Sequence, residues 1–242
     1  PDRGGLVGTR LYLHPGAAVA GKFSEPVESW KGVPQSYECT EFLDFSHQSA
    51  GARRIWIVGG SAHPAGAASF VPGIGEAHAE AMSRYPNLLP LSIMLHDEST
   101  GHVQPRAELG VRVDYALNSR DRELMAQGIR ETCKILLAAG ATEVWVPYLE
   151  GTGTVRTMDE VQRLELPMGP RDLDLVAVHP MGTVWMGRDP KKSCTDPTGR
   201  LHGLENAWVA DTSQFPTSIG VPPQLSAYAF GLRAASMMES YV

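Results

Sequence analysis

The stretch from His179 to Met238 limits the fold more than any other part of the chain. Glycine, proline and polar turns interrupt it until the pair Pro222–Pro223 opens a helical pattern. His179 stands between the apolar Val178 and Pro180, with Gly182 close behind. Glycine lets a backbone or ligand approach closely, so this setting suits a side chain held at the floor of a site. Asn206–Asp211 (NAWVAD) reads as a short buried strand that stops at a polar residue. Pro222 and Pro223 fix φ, and a proline at the first helical position gives up no needed hydrogen bond. Leu225, Tyr228, Ala229 and Leu232 then recur at helical spacing and predict a final helix.

Upstream, strand patterns outnumber helical ones. Arg10–His14, Ala17–Phe23, Ser36–Phe45, Arg54–Val58, Leu88–Leu95, Val111–Leu117 and Thr142–Val146 read as strands. Residues 60–75 are rich in Gly, Ala and Pro and read as a loop, and Asp97–His102 reads as a turn. Glu76–Tyr85 predicts a helix stopped by Pro86. Asn118 has the place of an N-cap, with Asp121 in the first turn, where a carboxylate suits the helix dipole. That helix runs to about Ala139, with Met125, Ile129, Thr132, Cys133 and Leu136 as its stripe and Gly140 as its stop. Thr157 and Glu160 have the spacing of a capping box for a short helix before Pro167. Many strands with few helices between them predict an α+β chain with an antiparallel or mixed sheet.

The 242 residues suffice for one large domain or two small ones, and 43% hydrophobic with 20% charged residues fits a globular protein with a real core. A net charge of −6 gives no reason to expect nucleic acid or an anionic membrane as partner. No apolar run has the length of a membrane span, and the opening PDRGGLVGTR lacks the apolar core of a signal peptide. Cys39, Cys133 and Cys194 are odd in number and widely spaced, which predicts free thiols in a reducing, cytoplasmic setting. Cys133 falls on the apolar helix stripe and is expected to be buried; Cys194 falls in a polar loop and is expected to be exposed.

Four runs occur in order near the C-terminus: His179-Pro180-Met181-Gly182-Thr183, Asp211-Thr212-Ser213, Phe215-Pro216 and Gly220-Val221-Pro222-Pro223. Together they resemble the C-terminal signature of the glucose–methanol–choline (GMC) family of flavin oxidoreductases. The resemblance implies a substrate domain with a large, mostly antiparallel sheet backed by helices. It also implies a C-terminal strand and helix that complete an FAD-binding domain. The dinucleotide-binding turn of that domain, Gly-x-Gly-x-x-Gly, is not in this sequence: Gly59-Gly60 and Gly73–Gly75 lack the spacing. The opening GLVGTRLYLHP resembles a mid-chain segment of the family. The chain therefore resembles the second half of a GMC enzyme, with an N-terminal FAD-binding chain or segment as its partner. On that basis residues 1–15 are an edge of the FAD domain, 16–178 the substrate-binding domain, and 179–242 the return to the FAD domain.

The resemblance makes His179 the catalytic base. Oxidising an alcohol at a flavin requires removal of the hydroxyl proton while hydride leaves carbon, and neutral imidazole suits the first task. For a lone histidine the alternative is a satisfied core residue. Pro222 occupies the position of the family's second active-site residue, an Asn or His. Proline has neither a donor nor a titratable group, so no neighbour is expected to share the proton of His179. Gln224 or Ser226 is then the candidate to hydrogen-bond substrate. Asp211 and Thr212 match positions against the ribityl and pyrophosphate part of FAD, and Pro223 and Gln224 match positions near its pyrimidine ring. Asp211 has the alternative of a turn or cap aspartate. His202 reads as a structural turn, His14 as a strand end, and His47, His63 and His78 as solvated. His96 and His102 flank a turn. No His or Cys spacing argues for a metal, and Ser61 is not in a hydrolase elbow. The expected function is FAD-dependent oxidation of a primary or secondary alcohol, a small-molecule substrate, by hydride transfer to the flavin. A flavin-containing lyase on the same scaffold and a non-catalytic remnant are the alternatives.

Overall fold

The computed structural model describes residues 4–44, 54–69, 71, 73–107, 110–148, 153–167, 169 and 172–239. The chain divides into two compact units. One comprises Gly16–Leu95 and Arg122–Val176; the other comprises Pro1–Pro15, His96–Asp121 and Ala177–Val242.

The first of these is built on a six-stranded sheet. Its strands are β1 (Gly16–Lys22), β2 (Glu38–Cys39), β3 (Ile55–Gly59), β4 (Leu88–Leu95), β7 (Glu143–Val146) and β8 (Gly153–Val155), in the order β2-β3-β4-β1-β7-β8. Every pairing is antiparallel, with Val19 opposite Leu91 and Ile57 opposite Ile93. β4 and β7 lie where their apolar patterns place them. The expected strand at Ser36–Phe45 shrinks to two residues plus a single bridge from Leu43 to Arg54; its end, Phe45, and also His47, lie outside the described residues. The expected loop 60–75 contains a four-residue helix, α1 (Pro64–Ala67), and His63 caps it by accepting from the Ala65 amide at 3.3 Å. His63 is thus a cap and not merely solvated, and His78 Nδ1 lies 3.1 Å from the Val71 carbonyl oxygen. Helix α2 (Glu76–Ser83) gives way to a 3-10 turn at Tyr85–Asn87, since Pro86 cannot continue the helix.

Helix α3 (Ser119–Ala138) backs the sheet. Met125, Ile129, Thr132, Cys133 and Leu136 are all at most 1% exposed, so the stripe read from the sequence is the buried face. Each large apolar side chain so buried contributes about 1.5–3 kcal/mol. Gly128 lies in the middle of that face, where a Cβ would stand 2.8 Å from Ile93 Cγ2 and 3.1 Å from Ile55 Cγ2. The helix accepts a poor helix former because only glycine lets it sit this close to β3 and β4. Asn118 Oδ1 accepts from the Asp121 amide at 2.8 Å, the expected cap, and Gly140, at φ 98, ends the helix. In α4 (Met158–Gln162), Thr157 accepts from the Glu160 amide, while Glu160 Oε2 accepts from Arg156 N, one residue before the partner a capping box would use.

The second unit holds little regular structure. It contains the hairpin β5 (His102–Arg106) with β6 (Gly110–Asp114), and the final helix α5 (Gln224–Glu239). β5 carries Pro105, which masked its strand pattern in the sequence. Two expected strands are not strands. Arg10–His14 makes only single bridges, Leu11 to Gly101 and Tyr12 to Met181, because His14 turns the chain at φ 48 just before Pro15. Asn206–Asp211 is half-exposed and makes one bridge, Arg200 to Trp208. A single bridge supplies no ladder, so the apolar run stays extended without becoming a strand. Cys194 is buried at 7% exposure instead of exposed, its amide donating to the Trp185 carbonyl. On α5 the helical stripe faces outward: Leu225, Tyr228 and Leu232 are 82%, 60% and 75% exposed. Among the described residues no helix is long and apolar enough to cross a membrane.

Candidate functional site

His179 enters on a segment whose backbone is fixed on both sides. Two residues on, Met181 exchanges both backbone hydrogen bonds with Tyr12 at 2.9 Å, and Met181, Tyr12 and Phe215 form a buried cluster. Gly182, at φ 91, passes so close to the Arg10 carbonyl oxygen that a Cβ would stand 2.3 Å from it, so only glycine serves there. On the other side Thr212 Oγ1 donates to the Pro180 carbonyl at 2.9 Å, and the Val184 amide donates to the Ser213 carbonyl at 2.9 Å. The histidine run and the Asp211–Ser213 run, read from sequence as separate motifs, are therefore laced together by backbone. Val178 and Pro180 are exposed and His179 is half-buried, so its imidazole remains accessible on a fixed frame.

The expectation that no titratable neighbour stands beside His179 is corrected by the structure. His14 Nδ1 lies 3.1 Å from His179 Nδ1, with the rings tilted 32° and their centroids 5.1 Å apart. His14 was read as a strand end; instead it is 1% exposed and occupies the left-handed backbone region. Few residues other than glycine tolerate that conformation, histidine and asparagine among them. A buried carboxylate holds the turn. Asp97, 2% exposed, accepts from the Leu13 amide at 3.1 Å, the His14 amide at 3.2 Å and the Tyr115 hydroxyl at 2.8 Å. Burial and the neighbouring Asp97 push the Tyr115 hydroxyl well above its ordinary pKa, so it stays a donor.

A third ring, His96, completes the cluster. Gly220, buried at φ 73, packs against it so tightly that a Cβ would stand 2.8 Å from its Cγ. Burial first, and then the charges His179 and His96 would carry, lower the His14 pKa to about 4, with the Gly220 backbone opposing the shift. His14 Nε2 is buried and, among the described residues, meets no hydrogen-bond partner. Partial burial alone also holds His179 below its ordinary value. Both shifts favour the neutral ring. Among the described residues no group of three or more His, Cys, Asp or Glu side chains is arranged to hold a metal.

The remaining candidates are less enclosed. Asp211 is exposed and accepts from the Ser213 amide and hydroxyl, which is the turn-capping role set against cofactor binding above. Pro222 is half-buried and Pro223 buried, its carbonyl accepting the first helical bond of α5 from Ala227 at 2.8 Å. Gln224 is exposed, with Nε2 donating to the Tyr228 hydroxyl at 2.8 Å, and Ser226 is half-buried. His202 bridges Ser193 and the Gly187 carbonyl, a structural role as expected. Sequence reading missed His14, His96 and Asp97. The only local signal was three polar, titratable residues placed beside Pro15 or at a strand end.

Comparison with known proteins follows the same lines. The chain is 36% identical, over 98% of its length, to an uncharacterized GMC-type oxidoreductase of Mycobacterium tuberculosis, and covers 36% of that protein. It is 29% identical over 96% of its length to a long-chain-alcohol oxidase of Arabidopsis thaliana, and covers 34% of it. The chain thus spans about a third of the length of these curated relatives. Among solved structures it superposes on pyridoxine 4-oxidase from Mesorbium loti with a TM-score of 0.62 at 21% identity, covering 99% of this chain and 44% of that one. It superposes on formate oxidase from Aspergillus oryzae with a TM-score of 0.65 at 17% identity, covering 98% of this chain and 48% of that one. The family model for GMC oxidoreductases, in its C-terminal part, matches residues 97–231. That match takes in His179, Asp211–Ser213 and the double proline, and on it the chain belongs to the GMC oxidoreductase family.

Proposed function

We propose that this chain supplies the substrate side of an FAD-dependent alcohol oxidoreductase in which His179 takes the hydroxyl proton. The observation that carries the reading is a half-exposed imidazole held on a fixed frame with a second imidazole at 3.1 Å; partial burial favours its neutral form. A general base works best when it is uncharged at working pH and cannot swing away. The alcohol proton passes to His179 Nε2, the carbinol carbon gives up its hydrogen with both electrons, and the carbonyl forms. FAD, when bound, supplies the acceptor for that hydride. The new imidazolium then favours negative charge nearby.

The donor set of this chain fits the ring end of FAD and, at Asp211 and Thr212, part of its ribityl and pyrophosphate tail. A proton acceptor and a fixed loop at Gly220–Gln224 are present, but no phosphate-binding turn is in the sequence. An N-terminal FAD-binding chain or segment is the partner this requires, and the outward stripe Leu225, Tyr228 and Leu232 supports a covering surface at α5. Residues 16–178 then form the substrate side, with 1–15 and 179–242 on the flavin side. Asp211, Thr212, Pro223 and Gln224 are the cofactor contacts proposed from this chain.

An apolar alcohol is the favoured substrate. The similarity to a long-chain-alcohol oxidase supports that reading. The test is anaerobic mixing of the flavin-loaded enzyme with straight-chain primary alcohols of increasing length. Bleaching of the flavin absorbance, faster for longer chains, is expected. A flavin that stays oxidised with every alcohol while a cyanohydrin is cleaved would overturn the oxidoreductase reading.

A further inference from the structure

We infer that His14 is a positioning residue that fixes the tautomer of His179, accepting the His179 Nδ1 proton at its own Nδ1 and so leaving His179 Nε2 bare. The inference rests on the proposal that His179 is the base and explains how that base is kept ready.

Two imidazoles meeting Nδ1 to Nδ1 at 3.1 Å must divide the roles, one donating and one accepting. Two arrangements satisfy them. If His14 donated, His179 would carry its proton on Nε2, and the nitrogen turned away from His14 could accept nothing. If His179 donates, His14 carries its proton on Nε2 and His179 Nε2 holds a free lone pair. Only the second leaves His179 able to take a proton, because with its Nδ1 turned to His14 its one remaining acceptor is Nε2. His14 then accepts at Nδ1 and carries its own proton on the buried Nε2. Protonating His14 on both nitrogens is excluded near neutral pH, because the ring is 1% exposed and faces two other histidines.

The rest of the cluster serves this choice. Asp97 grips the Leu13 and His14 amides and sets the left-handed turn that aims the His14 ring. Gly220 is required where it stands because any side chain would meet His96. The order is His14, His179, substrate hydroxyl. His14, being buried, does not reach substrate. In the family pattern an Asn or His at Pro222 would stand on the substrate side; here the group that orders the base comes from behind it.

The direct test is ¹⁵N NMR of the flavin-loaded enzyme with histidine-selective labelling, in wild type and in His14→Asn and His14→Ala. Wild-type His179 should show a protonated Nδ1 and a bare Nε2. Asparagine tolerates a positive φ and places an acceptor oxygen near the position of Nδ1, so His14→Asn should keep that tautomer. His14→Ala should shift His179 toward the Nε2-protonated form and slow anaerobic flavin reduction about 10²–10⁴-fold, the scale of losing a base or its tautomer, with FAD retained. His14→Asn should recover most of that rate. A wild-type His179 protonated on Nε2 overturns the inference even if the variants fail to fold. So does a His14→Ala variant with wild-type rate while His179→Ala is inactive. A fully active His179→Ala sinks the base assignment itself, a separate result that the tautomer spectrum does not depend on.

Discussion

The sheet unit and the histidine unit are held together by different physics. In the sheet unit the central contacts are apolar: Val19, Ile55, Ile57, Ile93 and Leu95 are at most 2% exposed, and α3 lies over them through Gly128. In the histidine unit buried polar groups hold loop to loop. Asp97 binds the Leu13–His14 turn, and Asp121, fully buried, accepts from the Glu98 and Ser99 amides and the Ser99 hydroxyl. Apolar burial is non-directional and tolerates relaxation, whereas a carboxylate holding three donors is directional and fixes where its partners stand. A scaffold can be made the first way. A base that must keep one nitrogen free is better made the second way.

The contrast can be broken by truncating one group of each kind. Ile93→Ala should cost the most stability, about 2–5 kcal/mol for a fully buried aliphatic chain, measured as a shift of the denaturant midpoint. The rate of flavin reduction per folded molecule should be unchanged. Asp97→Ala should cost about 3 kcal/mol, since it leaves two amides and the Tyr115 hydroxyl without their acceptor. Unlike Ile93→Ala, it should also slow flavin reduction in the molecules that stay folded, because the His14 turn loses its anchor. Equal effects of the two variants on rate would erase the proposed division of labour.

A smaller effect sharpens the same comparison. The His14 pKa falls to about 4 in the folded chain, below its unfolded value. The unfolded chain therefore binds more protons between those limits, and stability falls as pH falls from about 6.5 toward 4. The His14 contribution is fully present above that window and amounts to about 3 kcal/mol at most. His14→Asn should flatten this part of the stability–pH curve, as read from denaturant midpoints at stepwise pH. A curve that keeps its slope would place the acid sensitivity elsewhere.

The same contrast governs what could be read in advance. β4, β7 and α3 were legible because burial on one face imposes a period on neighbouring residues, as in Met125, Ile129, Cys133 and Leu136. His179, Asp211–Ser213 and the double proline were legible only as a family pattern; nothing in their local periodicity marks them. His14, Asp97 and Gly220 lie far apart in sequence, so no local window contains their relation. Their importance is tertiary. Asn206–Asp211 failed the opposite way: its apolar period suggested a strand, but a strand exists only with a ladder, and it has one bridge.

The central claim is that His179 removes the alcohol proton. Stopped-flow reduction of the flavin in wild type and in His179→Ala, across pH, tests it most directly. Wild type should lose rate as pH falls through the His179 pKa, which partial burial holds below the ordinary histidine value, because the protonated ring can accept nothing. His179→Ala should be slower by about 10²–10⁴-fold, should keep its FAD, and should lack that acid limb. A variant that reduces flavin at nearly the wild-type rate, or that keeps the same acid limb, would contradict the account.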